Sequence, residues 1–527
     1  MELRALAAAG VVLAAAAAAP SAQAAELEHP AREDVAPPGY TLTARQVTAI
    51  AGRDAKVQRE RDDHPELRPT AYTRAPGRWQ VSWFVGGDEL VQVHVDDRTS
   101  AILESWSGDQ VAWRMARGYE GAFGRKWNSP WLLIPLGLLF LLPFVDFRSP
   151  LRLLHLDLLV LLGFGVSHVF FNRGEIGVSV QLAYPVLLYV MGRMLWEGWR
   201  RRERVGELVP HAPISLLLAG LVFLVGFRIG LNVIDSNVID VGYSGVIGAD
   251  RIADGDSLYD GEFASDNQSG NVYGPVAYLA YLPWEQIFPW DGTWGDLPAA
   301  HAAAITFDLL TTLGLYVLGL RLRARALGIA LAYAWVAYPY SLFALETNTN
   351  DTFVAALLVW ALVALSTPLV RGALIGLASA AKFAGLALVP LFAAAGRPVR
   401  FALAVAIVIA AAVLPFLPDG GLRDFYDTTL GFHAGRESPF SVWGQEPGLD
   451  WLHTVMKVAV VGLGVVVAFV PRGPRDTVQV AALGAAVLIG LQLVTVHWFY
   501  LYIVWFAPFV LAALFAAQKP RPEPVSA

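Results

Sequence analysis

The sequence contains no cysteine in 527 residues. Disulfides, cysteine-ligated zinc and thiol catalysis are therefore excluded. Lysine is nearly as scarce, with five among 39 basic residues. Together with abundant alanine and glycine, this is the bias of a GC-rich bacterial genome and says nothing of function. The ten histidines are scattered, and His155 and His168 are too far apart, with too few partners nearby, to suggest a metal site. No internal repeat stands out, which weighs against the inverted-repeat plan of many secondary transporters. Positive charge is missing from one long stretch: Val233 to Leu297 holds eleven acidic residues and a single basic one, Arg251.

What is present is apolar: 55% of the residues are hydrophobic. Several runs reach the roughly 20 residues that a bilayer span needs, which defines an all-α polytopic membrane protein. The net charge of −6 then says little about partners, because charge is sorted by side of the membrane. No feature points to nucleic acid. Residues 1–24 start with Arg4, run through an alanine-rich segment and end in Ala22-Gln23-Ala24, the pattern of a cleaved secretory signal.

Residues 26–125 are polar and carry no span. Thr43 followed by apolar periodicity predicts a helix. Arg78–Val85 and Leu90–Val95 alternate around Gly86-Gly87-Asp88 as a hairpin, and Ala101–Trp106 makes a third strand. The helix, the strand meander and the stretch from Val93 to Ser105 resemble the PepSY domain of exported bacterial proteins. The stretch carries no catalytic cluster, so binding or folding assistance is the expected role of this small α+β unit.

Membrane spans begin near Trp131, with additional helices over 129–205, a core over 211–517 and a basic tail at 518–527. Arginine counts set the topology. Arg148 and Arg152, then Arg200, Arg201, Arg202 and Arg204, then Arg321, Arg323 and Arg325 fall in alternate connectors, which the positive-inside rule places in the cytoplasm. The acidic stretch 233–297 then lies outside. Arg371–Phe392 conflicts with this rule as one span, whereas two short helices meeting near Lys382 restore it; a lysine in the bilayer is costly unless it faces a polar cavity. The total is about twelve or thirteen spans.

Polar residues concentrate at the outer helix ends. Asp235 and Asp240 are the candidate bases, with Lys382 and Arg436 as cations for a phosphate. Tyr243, Asp256, Tyr259, Tyr273, Asn348, Asn350, Asp351, Ser441, Trp443 and His497 are candidate substrate contacts. Asp308 lies within a span, where it either works or pairs with a neighbouring helix. Trp284, Trp290 and Trp294 read as an interfacial aromatic belt. The order Asp240-x-x-Tyr243, Gly255-x-x-x-Tyr259, Tyr273-x-Pro275-x-x-Tyr278, Asn350-Asp351, then Gly372 to Lys382-Phe383 resembles the GT-C superfamily of integral membrane glycosyltransferases, close to the glycosyltransferase 87 mannosyltransferases. The resemblance covers about three fifths of the chain, roughly 210–517. It implies a polyprenyl-phosphate sugar, mannose-like, as donor; a first-loop aspartate as acid/base; and transfer to a cell-envelope glycan, lipid or protein at the outer face of the bacterial cytoplasmic membrane, with membrane lipids around the enzyme. No cofactor or metal is assigned. A transporter or lipid flippase, or a membrane-anchored PepSY sensor, are the alternatives. The first would scatter charge through span interiors; the second would need only one span.

Overall fold

The protein was analysed as a computed structural model, which describes residues 27–516 apart from 76, 120–122, 201–211, 262, 265 and 296. The signal at 1–24, the arginines at 201, 202 and 204 and the tail at 518–527 lie outside the described residues.

The N-terminal unit starts from a reciprocal cap. Thr43 Oγ1 accepts the Gln46 amide at 3.2 Å, and the Gln46 side chain accepts the Thr43 amide at 2.9 Å. Helix α1 (Ala44–Ala51) follows, then α2 (Ala55–Asp63). Four antiparallel strands pair in chain order: β1 (Arg68–Ala75), β2 (Arg78–Val85), β3 (Asp88–Asp96) and β4 (Ile102–Ser107). Period-two alternation sends Trp79, Val81, Trp83, Val91, Val93 and Val95 into one core with α1 and α2. Sequence pattern revealed β2 to β4 but not β1. Pro69 masks β1, and it is tolerated there because β1 is an edge strand.

The membrane part is helical throughout. In chain order it comprises α3 (Pro130–Leu141), α4 (Leu153–Phe171), α5 (Ile176–Trp199), α6 (Ile214–Asp235) and the amphipathic α7 (Asp240–Asp254). After the acidic stretch come α8 (Pro298–Leu322), α9 (Arg325–Ala337), α10 (Pro339–Glu346), α11 (Asp351–Val363) and α12 (Pro368–Ala381). The last are α13 (Val389–Ala393), α14 (Pro398–Val413), α15 (Asp450–Phe469), α16 (Thr477–Leu493) and α17 (Ile503–Ala516). This is a polytopic helical membrane protein with a small α+β domain.

Among the described residues, six helices are long and apolar enough to cross a bilayer, or seven if α9 and α10, bent by 58°, form one span. The other apolar helices have 10–17 residues, so the expected twelve or thirteen full-length spans resolve into long and short ones. The cause is burial: α16 and α17 are enclosed along nearly their whole length. A helix end that meets protein instead of lipid can stop inside the membrane. The break anticipated at Lys382 is one such end. Helix α12 stops at Ala381, Lys382 turns extended, and a 3-10 turn (Phe383–Leu388) leads into α13. Arg371, early in α12, donates to the Gly396 carbonyl beyond α13, so both arms finish at one end of the bundle.

One buried ion pair ties α6 to α8. Arg228 Nη2 lies 2.6 Å from Asp308 Oδ1, and Trp335 Nε1 donates to the same oxygen at 2.9 Å. Arg228 also donates to the Val336 carbonyl and to Ser341 Oγ, bridging the bend between α9 and α10. The intramembrane carboxylate is therefore a helix-pairing group. Replacing Arg228 with Met strands a buried carboxylate, so Arg228→Met is expected to cost about 3–5 kcal/mol. The double variant with Asp308→Leu is expected to recover most of that loss, as read by thermal unfolding in detergent.

Candidate active site

The site is assembled where α6, α10, α12 and α16 end and α7, α11 and α17 begin. After α6 the chain runs beside the turn that follows α10. The Asn237 amide donates to the Glu346 carbonyl at 3.0 Å and the Ile239 amide to the Thr347 carbonyl at 3.2 Å. Helix α7 then starts at Asp240. Three residues at spacing three, Gly242, Gly245 and Gly248, fall on one face of α7. A Cβ at Gly242 would sit 2.4 Å from the Asn348 carbonyl oxygen, while Tyr281 and Tyr278 press on the other two. Only a side-chain-free face lets the first turn of α7, and Asp240 with it, dock this closely.

Asn348 locks the turn from the other side. It adopts φ +51°, a region asparagine tolerates better than most residues. Its Nδ2 donates to Ser236 Oγ at 2.9 Å and to the Asn237 carbonyl at 3.1 Å, and its Oδ1 accepts from Asn232 at 2.9 Å. Three residues later, Asp351 opens α11. Lys382 Nζ approaches Asp351 Oδ1 to 2.6 Å, Trp505 Nε1 donates to the same oxygen at 2.8 Å, and Thr349 Oγ1 donates to Oδ2 at 2.5 Å. Both ion-pair partners are buried.

Lys382 faces the rings of Tyr273 (5.2 Å) and Trp505 (5.8 Å), a cation–π arrangement. Tyr273 is fixed by its backbone. Tyr259 OH donates to its carbonyl at 2.8 Å, and its amide donates to Tyr278 OH at 3.1 Å. The next residue, Gly274, donates to the Ala381 carbonyl at 3.2 Å, and a Cβ there would lie 2.0 Å from the Ala380 oxygen. His433 stands 5.8 Å from the Tyr273 ring.

Electrostatics join these groups to Asp240 and Arg436. Asp240 retains accessible surface, yet protein surrounds its carboxyl closely enough that desolvation raises its pKa. The two facts agree if the group lines a recess, open to water on one side only. Arg436 and then Lys382 act in the opposite sense, and Asp351 adds to the rise. His433 keeps accessible surface, yet desolvation by the protein around its ring lowers it to about 4 with help from Lys382 and Arg436; burial lowers His497 to about 3 with help from Arg436 and His433. Both imidazoles are neutral at pH 7. Burial, then the charge of Asp240, raises Tyr273. Asp240, Asp351, Lys382 and Arg436 thus form one charge cluster, walled by neutral aromatic and imidazole rings.

The remaining candidates divide. Neither polar atom of the buried Asn350 side chain has a hydrogen-bond partner among the described residues, which leaves both free for a ligand. Asp235 instead pairs with Lys126 at 3.0 Å and Arg125 at 3.9 Å. Tyr243 stacks on Trp294 at 4.8 Å, with Trp290 at its edge, so these two partly exposed tryptophans cover α7. Asp256 is exposed on its loop, and its amide donates to the Arg251 carbonyl. Ser441 caps a short helix, accepting the Gly444 amide. Trp443 stacks on His453 and donates to the Leu493 carbonyl. His497 packs against Phe440. Residue patterns gave no hint of Thr349, His433 or Trp505; the one available clue was a tryptophan in the first turn of an otherwise apolar helix.

Residues 271–496 match glycosyltransferase family 87. The match begins two residues before Tyr273, takes in Asp351, Lys382 and Arg436, and ends just before His497; Asp240 and the N-terminal unit precede it. No curated protein matches the chain. The family match on a multi-pass helical protein supports a membrane glycosyltransferase, an enzyme that uses a sugar donor and an acceptor.

The contact of Gly274 with Ala380 holds Tyr273 over Lys382. Gly274→Ala is expected to overpack this junction and destabilise the protein by about 1–3 kcal/mol. Thermal unfolding beside Gly448→Ala, where a Cβ meets open space and the backbone is not left-handed, checks this against the general cost of replacing a glycine.

Proposed function

We propose that the chain transfers a sugar, mannose-like, from a polyprenyl-phosphate donor to a hydroxyl of a cell-envelope acceptor at the extracytoplasmic face of the bacterial cytoplasmic membrane. The observation carrying this reading is the convergence of the Asp240 carboxylate with Lys382 and Arg436 in a bundle of which residues 271–496, including both cations, match a glycosyltransferase family. Arg148, Arg200, Arg321, Arg371, Arg400 and Arg475 gather toward the opposite helix ends, which supports the orientation.

The chemistry follows from the charges. Asp240 accepts the proton of the acceptor hydroxyl as its oxygen attacks the anomeric carbon. The bond from that carbon to the phosphate oxygen breaks, and the leaving polyprenyl phosphate takes the electron pair. Arg436 and Lys382 stabilise its charge through charge-assisted hydrogen bonds. A phosphate that leaves as an anion needs no separate acid, unlike the leaving group of a glycosidase. Asp351 is occupied by Lys382, Trp505 and Thr349, so it serves to orient the lysine and not as a second nucleophile. With one displacement, the product carries inverted anomeric configuration. Asn350 and Tyr273 are assigned to the donor sugar, and Asp235 to anchoring.

The test is to offer protein in lipid nanodiscs a panel of polyprenyl-phosphate sugars and follow transfer. The wild type is expected to consume at least one donor, and Asp240→Asn to lose about 10²-fold or more in kcat while remaining folded. Consumption of no donor would favour transport instead. A pH profile supplies a second check. Asp240 works deprotonated, and its pKa is raised, so activity falls as pH drops through a value above the ordinary carboxylate range of about 3.9. Arg436 lowers that pKa; Arg436→Gln is therefore expected to move the acidic limb of kcat/KM to higher pH. A limb that stays put in that variant removes Asp240 from the base role.

A further inference from the structure

The family match leaves unaccounted for the connection between the N-terminal unit and the bundle. That unit is clipped at two points, once to the connecting segment and once to the bundle. Arg117 donates to Gln92 Oε1 on β3 at 2.7 Å, and Gln110 Nε2 donates to the Asn172 carbonyl, in the loop between α4 and α5, at 3.1 Å. Beyond these clips the chain does not go straight into the membrane. It first crosses the back of the reaction centre. Trp113 lies on Phe440 (4.8 Å) and beside His497 (6.3 Å). Phe123 meets Phe499 and Phe343 edge-on. Gly124, at φ +85°, lays its backbone on Thr347: a Cβ there would be 3.1 Å from Thr347 Cγ2 and 3.3 Å from Phe343. Trp127, fully buried, stacks on Phe343 at 4.3 Å. Lys126 and Arg125 grip Asp235 at the end of α6.

The contacts of Phe123, Gly124 and Trp127 with Phe343 and Thr347 fall on or beside a single turn, Glu346 to Asp351, and those of Arg125 and Lys126 fall on the end of the helix leading to Asp240, while Trp113 and the other edge of Phe123 pack on the segments at Phe440 and His497–Phe499. The turn holds the approach to Asp240 through its Glu346 and Thr347 carbonyls, and it carries Asp351 at its far end. Lys382 is fixed by Asp351. A displacement of the turn therefore changes the spacing between the Asp240 carboxylate and the Lys382 ammonium, the two charges that must face the acceptor hydroxyl and the leaving phosphate. Misplacement on the scale of one ångström costs up to about 10²-fold in rate.

We propose that the described residues of the connecting segment, 113–119 and 123–127, are a positioning element of the reaction centre, with Trp127 and the Lys126–Asp235 pair setting the distance between Asp240 and the Asp351–Lys382 pair. The N-terminal unit is then part of the working enzyme, because its two clips hold this segment in place. The inference rests on the proposed glycosyl transfer for its kinetic consequence. Its structural consequence, a turn held rigid from behind, stands apart from the chemistry.

The full chain in nanodiscs provides the test. Trp127→Leu is expected to lower kcat about 10-fold or more with the donor KM within about twofold, whereas Trp127→Phe, which keeps a ring on Phe343, stays within about twofold of wild type. Lys126 and Asp235 retain 68% and 22% side-chain exposure, so changing them does not threaten folding. In an Arg125→Gln background, which removes the second cation beside Asp235, Lys126→Asp is expected to slow turnover by about two- to fivefold, and adding Asp235→Lys to restore it by reversing the pair. Hydrogen exchange at the Thr347–Asp351 amides is read on the same samples, with about 10-fold faster exchange expected in Trp127→Leu. Wild-type kcat in Trp127→Leu, a change in KM alone, or failure of the charge reversal overturns the positioning role. If no donor is consumed by the wild type, the assigned chemistry fails, and unchanged amide exchange in Trp127→Leu still overturns the positioning role. Should Trp127→Leu not fold, the charge reversal decides.

Discussion

Burying Asp351 against Lys382 is the constraint on which the rest of this architecture depends. Two charges taken out of water cost several kcal/mol each, and their attraction repays that only when further hydrogen bonds complete the geometry. Trp505 and Thr349 supply those bonds to the carboxylate, and the rings of Tyr273 and Trp505 face the ammonium. The pair therefore fixes four separate parts of the chain at one point: the turn before α11, the break after α12, the start of α17 and the loop at Tyr273. A helix that ran unbroken through Lys382 would leave the ammonium without this cage. The break and the ion pair are two sides of one requirement.

The same constraint explains why small residues and aromatics alternate around the site. Charges held in a low-dielectric setting act at longer range than in water, so neighbours must be neutral or be shifted until they are. His433 and His497 are both pushed far below the ordinary imidazole value by desolvation, and Tyr273 is pushed upward. What remains charged is balanced: two carboxylates and two cations. Asp240 differs from Asp351 in that, among the described residues, its carboxyl makes no direct ion pair, and it keeps access to water. One carboxylate is spent on structure and the other is available, and this asymmetry separates their roles more clearly than their positions in the sequence do.

Much of this was legible in the sequence, for identifiable reasons. Apolar runs mark the helical membrane class because lipid leaves no other option for the backbone. Lys382 was legible because a lone cation between short apolar runs demands a polar surrounding, and Asp240 because it follows directly on a span. Other features depended on partners far away in the chain. Asp235 looked equivalent to Asp240 until Lys126, from a segment more than a hundred residues earlier, took it up. Asn348 resembled a substrate contact, but its amide is consumed by Ser236, Asn237 and Asn232. The packing of Trp290 and Trp294 on Tyr243 was not legible either, because the sequence does not say which ring lies beneath a tryptophan. Short helices were read as full spans because apolarity marks burial without saying whether lipid or protein does the burying.

A site whose key charges come from distant segments needs something to set their separation, and hydrophobic packing alone is non-directional. Here the direction comes from backbone contacts that tolerate no slack: Gly242 on the Asn348 carbonyl, Gly274 on the Ala380 carbonyl, and Gly124 on Thr347. Two of these bind the site to itself, and the third binds it to the N-terminal segment. The turn between α10 and α11 is thus held from the front by α7 and from behind by the chain leaving the α+β domain. A loop clamped on both faces can hold an unpaired polar side chain such as Asn350 and a recessed carboxylate such as Asp240 in place before any ligand arrives. Fixing those groups in advance removes an ordering cost that substrate binding would otherwise have to meet.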